Sequence, residues 1–129
     1  MKNPTRELKK LFVQKGEINK SFFELGNLLV TIRKNRDYEK IGYKNFTTYI
    51  EDELGISMRT AQYLMKTYRY YFETLGDVNI IDQMRSVGWS KAKELIGIID
   101  ESNDDYWIET ANNNSAQELK QIIRSHRTK

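Results

Sequence analysis

Between positions 57 and 66 the chain reads Ser-Met-Arg-Thr-Ala-Gln-Tyr-Leu-Met-Lys. Wound into a helix, this spacing turns Met58, Arg59, Gln62, Tyr63 and Lys66 to one side and Ala61 and Leu64 to the other. Arginine and glutamine carry paired hydrogen-bonding groups that match guanine and adenine edges in a DNA major groove. Arg59, Gln62, Tyr63 and Met58 therefore form a candidate base-reading face. Ser57, Thr60 and Lys66 stand where they reach neighbouring edges or phosphates, and Lys44 adds a cation for the phosphate backbone.

Other chemistry finds little material. His126 is the only histidine and there is no cysteine, which leaves a histidine-based or thiolate metal site, or a nucleophile-base pair, almost nothing to work with. The acid pairs Asp52-Glu53 and Asp104-Asp105 are sequence neighbours that point apart on a helix and do not converge. The seven glycines are scattered and form no phosphate-cradling loop. The sequence thus predicts no catalytic residue, no metal and no cofactor.

Helices must position the candidate face. A single proline, at position 4, and β-branched residues that seldom alternate with polar ones predict an all-α chain. Ile18, Phe22, Leu25, Leu29 and Ile32 recur at helical spacing, and Leu8, Leu11 and Phe12 carry the stripe back toward Thr5 across Gly16. Such a stripe serves a core or a partner helix, and three heptad-like repeats suit a core better than a coiled coil. Asn45 can cap a helix over residues 46 to 54, Gly55 breaks it, and Ser57 caps a second helix running to about residue 72. Ile80, Ile81, Met84 and Val87 suit a short helix stopped by Gly88, after which Ser90 caps residues 91 to 99. Asn103-Asp104-Asp105 opens a helix through Ala111, and Ser115-Ala116-Gln117-Glu118 is a capping box that opens the last one. The expectation is a helix-turn-helix-containing bundle of about seven helices. Residues 1–37 would be an N-terminal helical segment for dimerisation or packing, and 38–129 the DNA-binding body.

Within residues 46 to 65 the helix-turn-helix outline rests on Gly55 at the turn, Ile50, Leu54 and Ile56 around it, and small Ala61 where two helices cross. Glu51 stands where such motifs usually turn a small residue toward the second helix, which predicts a wider crossing. A plain helical hairpin shares the outline, and the spacing leaves both readings open. The run Tyr68, Tyr70, Tyr71 and Phe72, and likewise Trp89 and Trp107, read as core aromatics before they read as stacking platforms.

Composition narrows the classes further. A chain of 129 residues has room for one domain or for a domain with a helical extension. Hydrophobic residues at 39% and charged residues at 30% fit an ordinary globular protein. No apolar run approaches the roughly 20 residues that span a bilayer. With cysteine absent, the expectation is a cytoplasmic, nucleoid-associated protein with no membrane partner. The net charge is only +3, but residues 1 to 45 hold 11 Lys/Arg against 5 acids. In that segment the block Arg33-Lys34-Asn35-Arg36 is either a solvated helix end or a phosphate contact.

Leu54-Gly55-Ile56-Ser57 followed by Leu64 resembles the helix-turn-helix of the ParB-type partition proteins and related plasmid regulators. Val87-Gly88-Trp89-Ser90-Lys91-Ala92-Lys93-Glu94-Leu95 is similar to that family's short helix with a Gly-His-Ala-Arg-Ala-Leu core, and residues 107 to 123 resemble its two closing helices. Lys93 stands at the family's arginine, and Met58 at the arginine that usually follows the serine. The likeness covers residues 46 to 126 and misses the family's nucleotide-binding domain, so it implies no CTP switch. It implies that residues 57 to 66 are the recognition helix, that Lys91 and Lys93 contact the DNA backbone, and that the role is transcriptional regulation or plasmid maintenance. One recognition helix reads only a few base pairs, so the expected partners are double-stranded DNA and a second copy of the chain. The alternative is a non-enzymatic protein-binding adaptor or inhibitor that works through the N-terminal helix, suggested by the weak net charge and the acids at Glu51, Asp52 and Glu53.

Overall fold

The computed structural model describes residues 18–127. The helical stripe expected at Leu8, Leu11 and Phe12, and the interruption at Gly16, lie outside the described residues. The elements in chain order are α1 (Ile18–Asn35), a 3-10 turn (Asp37–Ile41), α2 (Phe46–Thr48), which continues as a π-helical segment (Tyr49–Leu54), and α3 (Met58–Tyr68), which continues as a second one (Arg69–Leu75). Then follow α4 (Val78–Val87), α5 (Trp89–Ala92) with a 3-10 turn (Lys93–Leu95), α6 (Asp104–Asn113) and α7 (Ala116–Arg127). The chain is all-α, with no strand among the described residues. These elements form two compact units that divide between Arg69 and Tyr70.

In the first unit α1 packs along α3. Its stripe Phe22, Leu25, Leu29 and Ile32 is buried, as are Ala61, Leu64 and Met65 on α3. Gly26 lets the two helices touch: a Cβ at this position would lie 2.4 Å from the Leu64 carbonyl oxygen and 2.8 Å from the Tyr68 Cβ. The helix at residues 18–35 thus packs on α3 within one compact unit that ends at Arg69. Behind α1, Tyr38, Phe46 and Tyr49 are buried together, with Tyr38 and Phe46 ring centroids 5.9 Å apart.

The second unit has its own core of Tyr71, Ile80, Met84, Leu95, Ile99, Trp107, Ala111 and Leu119. The Tyr71 hydroxyl donates to the Ala92 carbonyl at 2.6 Å, and burial pushes that phenol's pKa up. Tyr70 donates to the Ile99 carbonyl at 2.6 Å but is half-buried, so Tyr71 is a core residue and Tyr70 lies at the core's edge. The capping box forms in full. The Ser115 N–H donates to the Glu118 carboxylate at 2.8 Å, and the Ser115 Oγ accepts from the Glu118 N–H at 3.1 Å. One expected helix differs. Gly88, not Ser90, precedes α5, and the α-helix ends at Ala92, tightens to 3-10 through Leu95 and leaves helical geometry at Ile96. Ile99 is nevertheless buried.

Candidate nucleic-acid interface

Local sequence builds the helix that carries the candidate face. Ser57 is extended at φ −72°, ψ 149°, and its side chain accepts from the Thr60 N–H at 3.1 Å, which fixes where α3 starts. The Ser57 hydroxyl in turn donates to the Thr60 hydroxyl at 3.0 Å, so these two proposed edge or phosphate contacts also serve the cap. Gly55 sits at φ 69°, a conformation that suits glycine, and its N–H donates to the Ile50 carbonyl.

The helix before that turn departs from expectation. After one α-helical turn capped by Asn45, whose side chain accepts from the Thr48 N–H at 2.8 Å, residues Tyr49–Leu54 widen to π geometry. The buried positions fall on Tyr49 and Ile50, while Glu51 and Asp52 are exposed. Glu51 therefore does not face the second helix, and it gives no reason for a wider crossing. Glu53 accepts from the Tyr43 hydroxyl at 2.9 Å, and that bond holds the Tyr43 pKa above its usual value.

On α3 the division of labour is sharp. Ala61 and Leu64 are fully buried, whereas Arg59, Gln62, Tyr63 and Lys66 are exposed and line one open hollow of about 490 Å³. Met58 and Thr60 are half-buried at the edge of this face. Arg59, Gln62 and Lys66 make no hydrogen bond or ion pair within the described residues, so their donors are free for a ligand. No protein-family profile, curated protein or solved structure matches the chain.

The cations predicted for the backbone divide. Lys44 is exposed in the first unit. Lys91 and Lys93 belong to the second unit and are occupied there. The Lys91 ammonium donates to the Ala111 carbonyl near the end of α6 at 2.8 Å, and the Lys93 ammonium sits 4.7 Å above the Trp89 ring. The Lys91 partner is hidden from the sequence, because Ala111 lies twenty residues away, whereas Trp89 lies only four residues before Lys93. His126 pairs its Nε2 with the Tyr106 hydroxyl at 3.1 Å and packs edge-on to Trp107. Among the described residues no group of three or more acidic or histidine side chains is placed to hold a metal ion, and no helix is long and apolar enough to cross a membrane.

Proposed function

We propose that the chain binds double-stranded DNA and reads the major groove with α3, with Arg59 and Gln62 on base edges, Tyr63 and Met58 beside them, and Lys66, Ser57, Thr60 and Lys44 on neighbouring edges or phosphates. The observation that carries this reading is the free, exposed row of Arg59, Gln62 and Lys66 on a helix whose opposite face is wholly buried. A helix anchored on one side and lined on the other by bidentate donors has the form that groove reading requires. Ala61, Leu64 and the close approach at Gly26 hold it rigidly, which limits the entropy lost on docking. Lys91 and Lys93 enter as structural lysines of the second unit, since each already has a partner.

One such helix covers few base pairs, so we place a second copy of the chain on a two-fold DNA site. The role that follows is transcriptional regulation or maintenance of a mobile element. The adaptor reading loses its intended surface between Phe22 and Ile32, because that stripe is spent on α3.

Selection of bound sequences from a random duplex pool tests the proposal. The expected result is an enriched motif with two related half-sites, and loss of enrichment for Arg59→Ala in a folded chain. A pool that stays random, alongside a protein co-purifying from host lysate, would overturn it in favour of the adaptor.

A further inference from the structure

The stretch from Arg33 to Lys44 holds five cations, Arg33, Lys34, Arg36, Lys40 and Lys44, and only two acids, Asp37 and Glu39. The sequence leaves open whether these cations are a solvated helix end or a phosphate contact. The structure sorts them. Arg36 Nε lies 3.0 Å from the Glu39 carboxylate and Lys40 Nζ lies 3.2 Å from the Asp37 carboxylate, so both acids are spent on their own turn. Arg33, Lys34 and Lys44 are exposed and have no acidic partner within the described residues.

Arg33 and Lys34 end α1, and Arg33 and Lys44 flank one ring. The Arg33 guanidinium lies 5.7 Å from the centre of the Phe46 ring, and Lys44 precedes that phenylalanine by two residues. The turn between them is closed by the Tyr43 N–H, which donates to the Tyr38 carbonyl at 3.1 Å. Beneath it the Tyr38, Phe46 and Tyr49 rings are packed and buried. The end of α1 and the start of α2 are thereby fixed to one aromatic base. The ring contact also narrows the freedom of Arg33, so less is lost when its fork engages an anion.

We propose that Arg33, Lys34 and Lys44 form a phosphate anchor that grips the phosphodiester backbone of DNA without regard to sequence. The anchor rests on the reading of α3 as a DNA-binding helix and adds to it an affinity element in the same unit. Its contribution is electrostatic, so it appears in the salt dependence of binding and not in the choice of sequence.

The test measures affinity of the full chain for its selected duplex and for a scrambled one across a salt series. Each phosphate contact adds about 0.9 to the slope of log affinity against log salt. Lys34→Gln/Lys44→Gln, which leaves the ring contact of Arg33 intact, should lower the slope by about 2 and weaken both duplexes by the same factor. Adding Arg33→Gln should take the loss to about 3. Arg36→Gln/Glu39→Gln, which removes an internally neutral pair, should leave the slope unchanged. Wild-type binding whose slope survives the lysine substitutions in a folded chain overturns the anchor alone. A wild-type chain that binds neither duplex overturns the anchor together with the reading of α3.

Discussion

Up to Arg69 the chain carries 14 lysines and arginines against 8 acids, and from Tyr70 onward it carries 7 against 10. The numbers matter less than how the cations are employed. In the first unit Arg59, Lys66, Lys34 and Lys44 are exposed, Arg33 is exposed beside the Phe46 ring, and the ion pairs among the described residues there are short-range ones that do not involve these five. In the second unit Lys91 binds a helix-end carbonyl, Lys93 covers an indole, and Lys120 approaches Glu94 at 3.8 Å. A lysine with an internal acceptor contributes to the fold, whereas an exposed one without an acidic partner is open to solvent or to a ligand. Composition cannot separate the two, since a half-buried lysine and an exposed one contribute the same formal charge.

Substitutions can break or sharpen that contrast. The largest effect should come from the surface that holds α3. Leu64→Ala, at a fully buried position, should cost about 2 to 5 kcal/mol of stability by chemical denaturation. Gly26→Ala, which drives a methyl group against the Leu64 carbonyl, should cost about 1 to 3 kcal/mol. A Gly26→Ala chain as stable as wild type would mean that α1 and α3 are not in close contact.

Next come two cations with opposite expectations. Lys91→Ala should lower stability by about 1 to 3 kcal/mol and leave the salt dependence of DNA binding untouched, because it strands the Ala111 carbonyl. Arg59→Ala should change stability by less than about 0.5 kcal/mol and cost about 1 to 3 kcal/mol of specific DNA affinity. Calorimetry paired with fluorescence anisotropy reads both quantities. If Lys91→Ala altered DNA binding and Arg59→Ala altered only stability, the roles assigned to the two units would be reversed.

Smaller still is the capping box. Ser115→Ala should cost about 1 kcal/mol at neutral pH. Hydrogen bonds from the Ser115 N–H and hydroxyl hold the Glu118 carboxyl below its ordinary range. A depressed folded value means that this contribution is present above the unfolded carboxylate pKa and fades as pH falls through the folded one. The gap between wild type and a Glu118→Gln variant should therefore close in acid and stay open at neutral pH. Thermal melts at several pH values would show this, and a gap independent of pH would argue against the bond.

Much of the architecture was legible because it is local. Asn45, Ser57 and Ser115 cap helices within three residues of themselves, and Gly55 breaks a helix by its own backbone freedom. The buried stripe from Phe22 to Ile32 follows from helical period alone. The same period predicted which residues of α3 face outward, and Arg59, Gln62, Tyr63 and Lys66 do so.

What tertiary structure alone decided concerns partners distant in sequence. Glu51 is exposed, and Tyr49–Leu54 adopts π geometry, a winding that no residue type announces. The close approach of Gly26 to Leu64 joins positions thirty-eight apart in sequence within the unit that ends at Arg69. Lys91 looks from its sequence like any other cation, and only packing supplied the Ala111 carbonyl that it binds. Caps and periodicity are set by neighbours along the chain, while a side chain's availability to a ligand is set by whatever folding brings beside it.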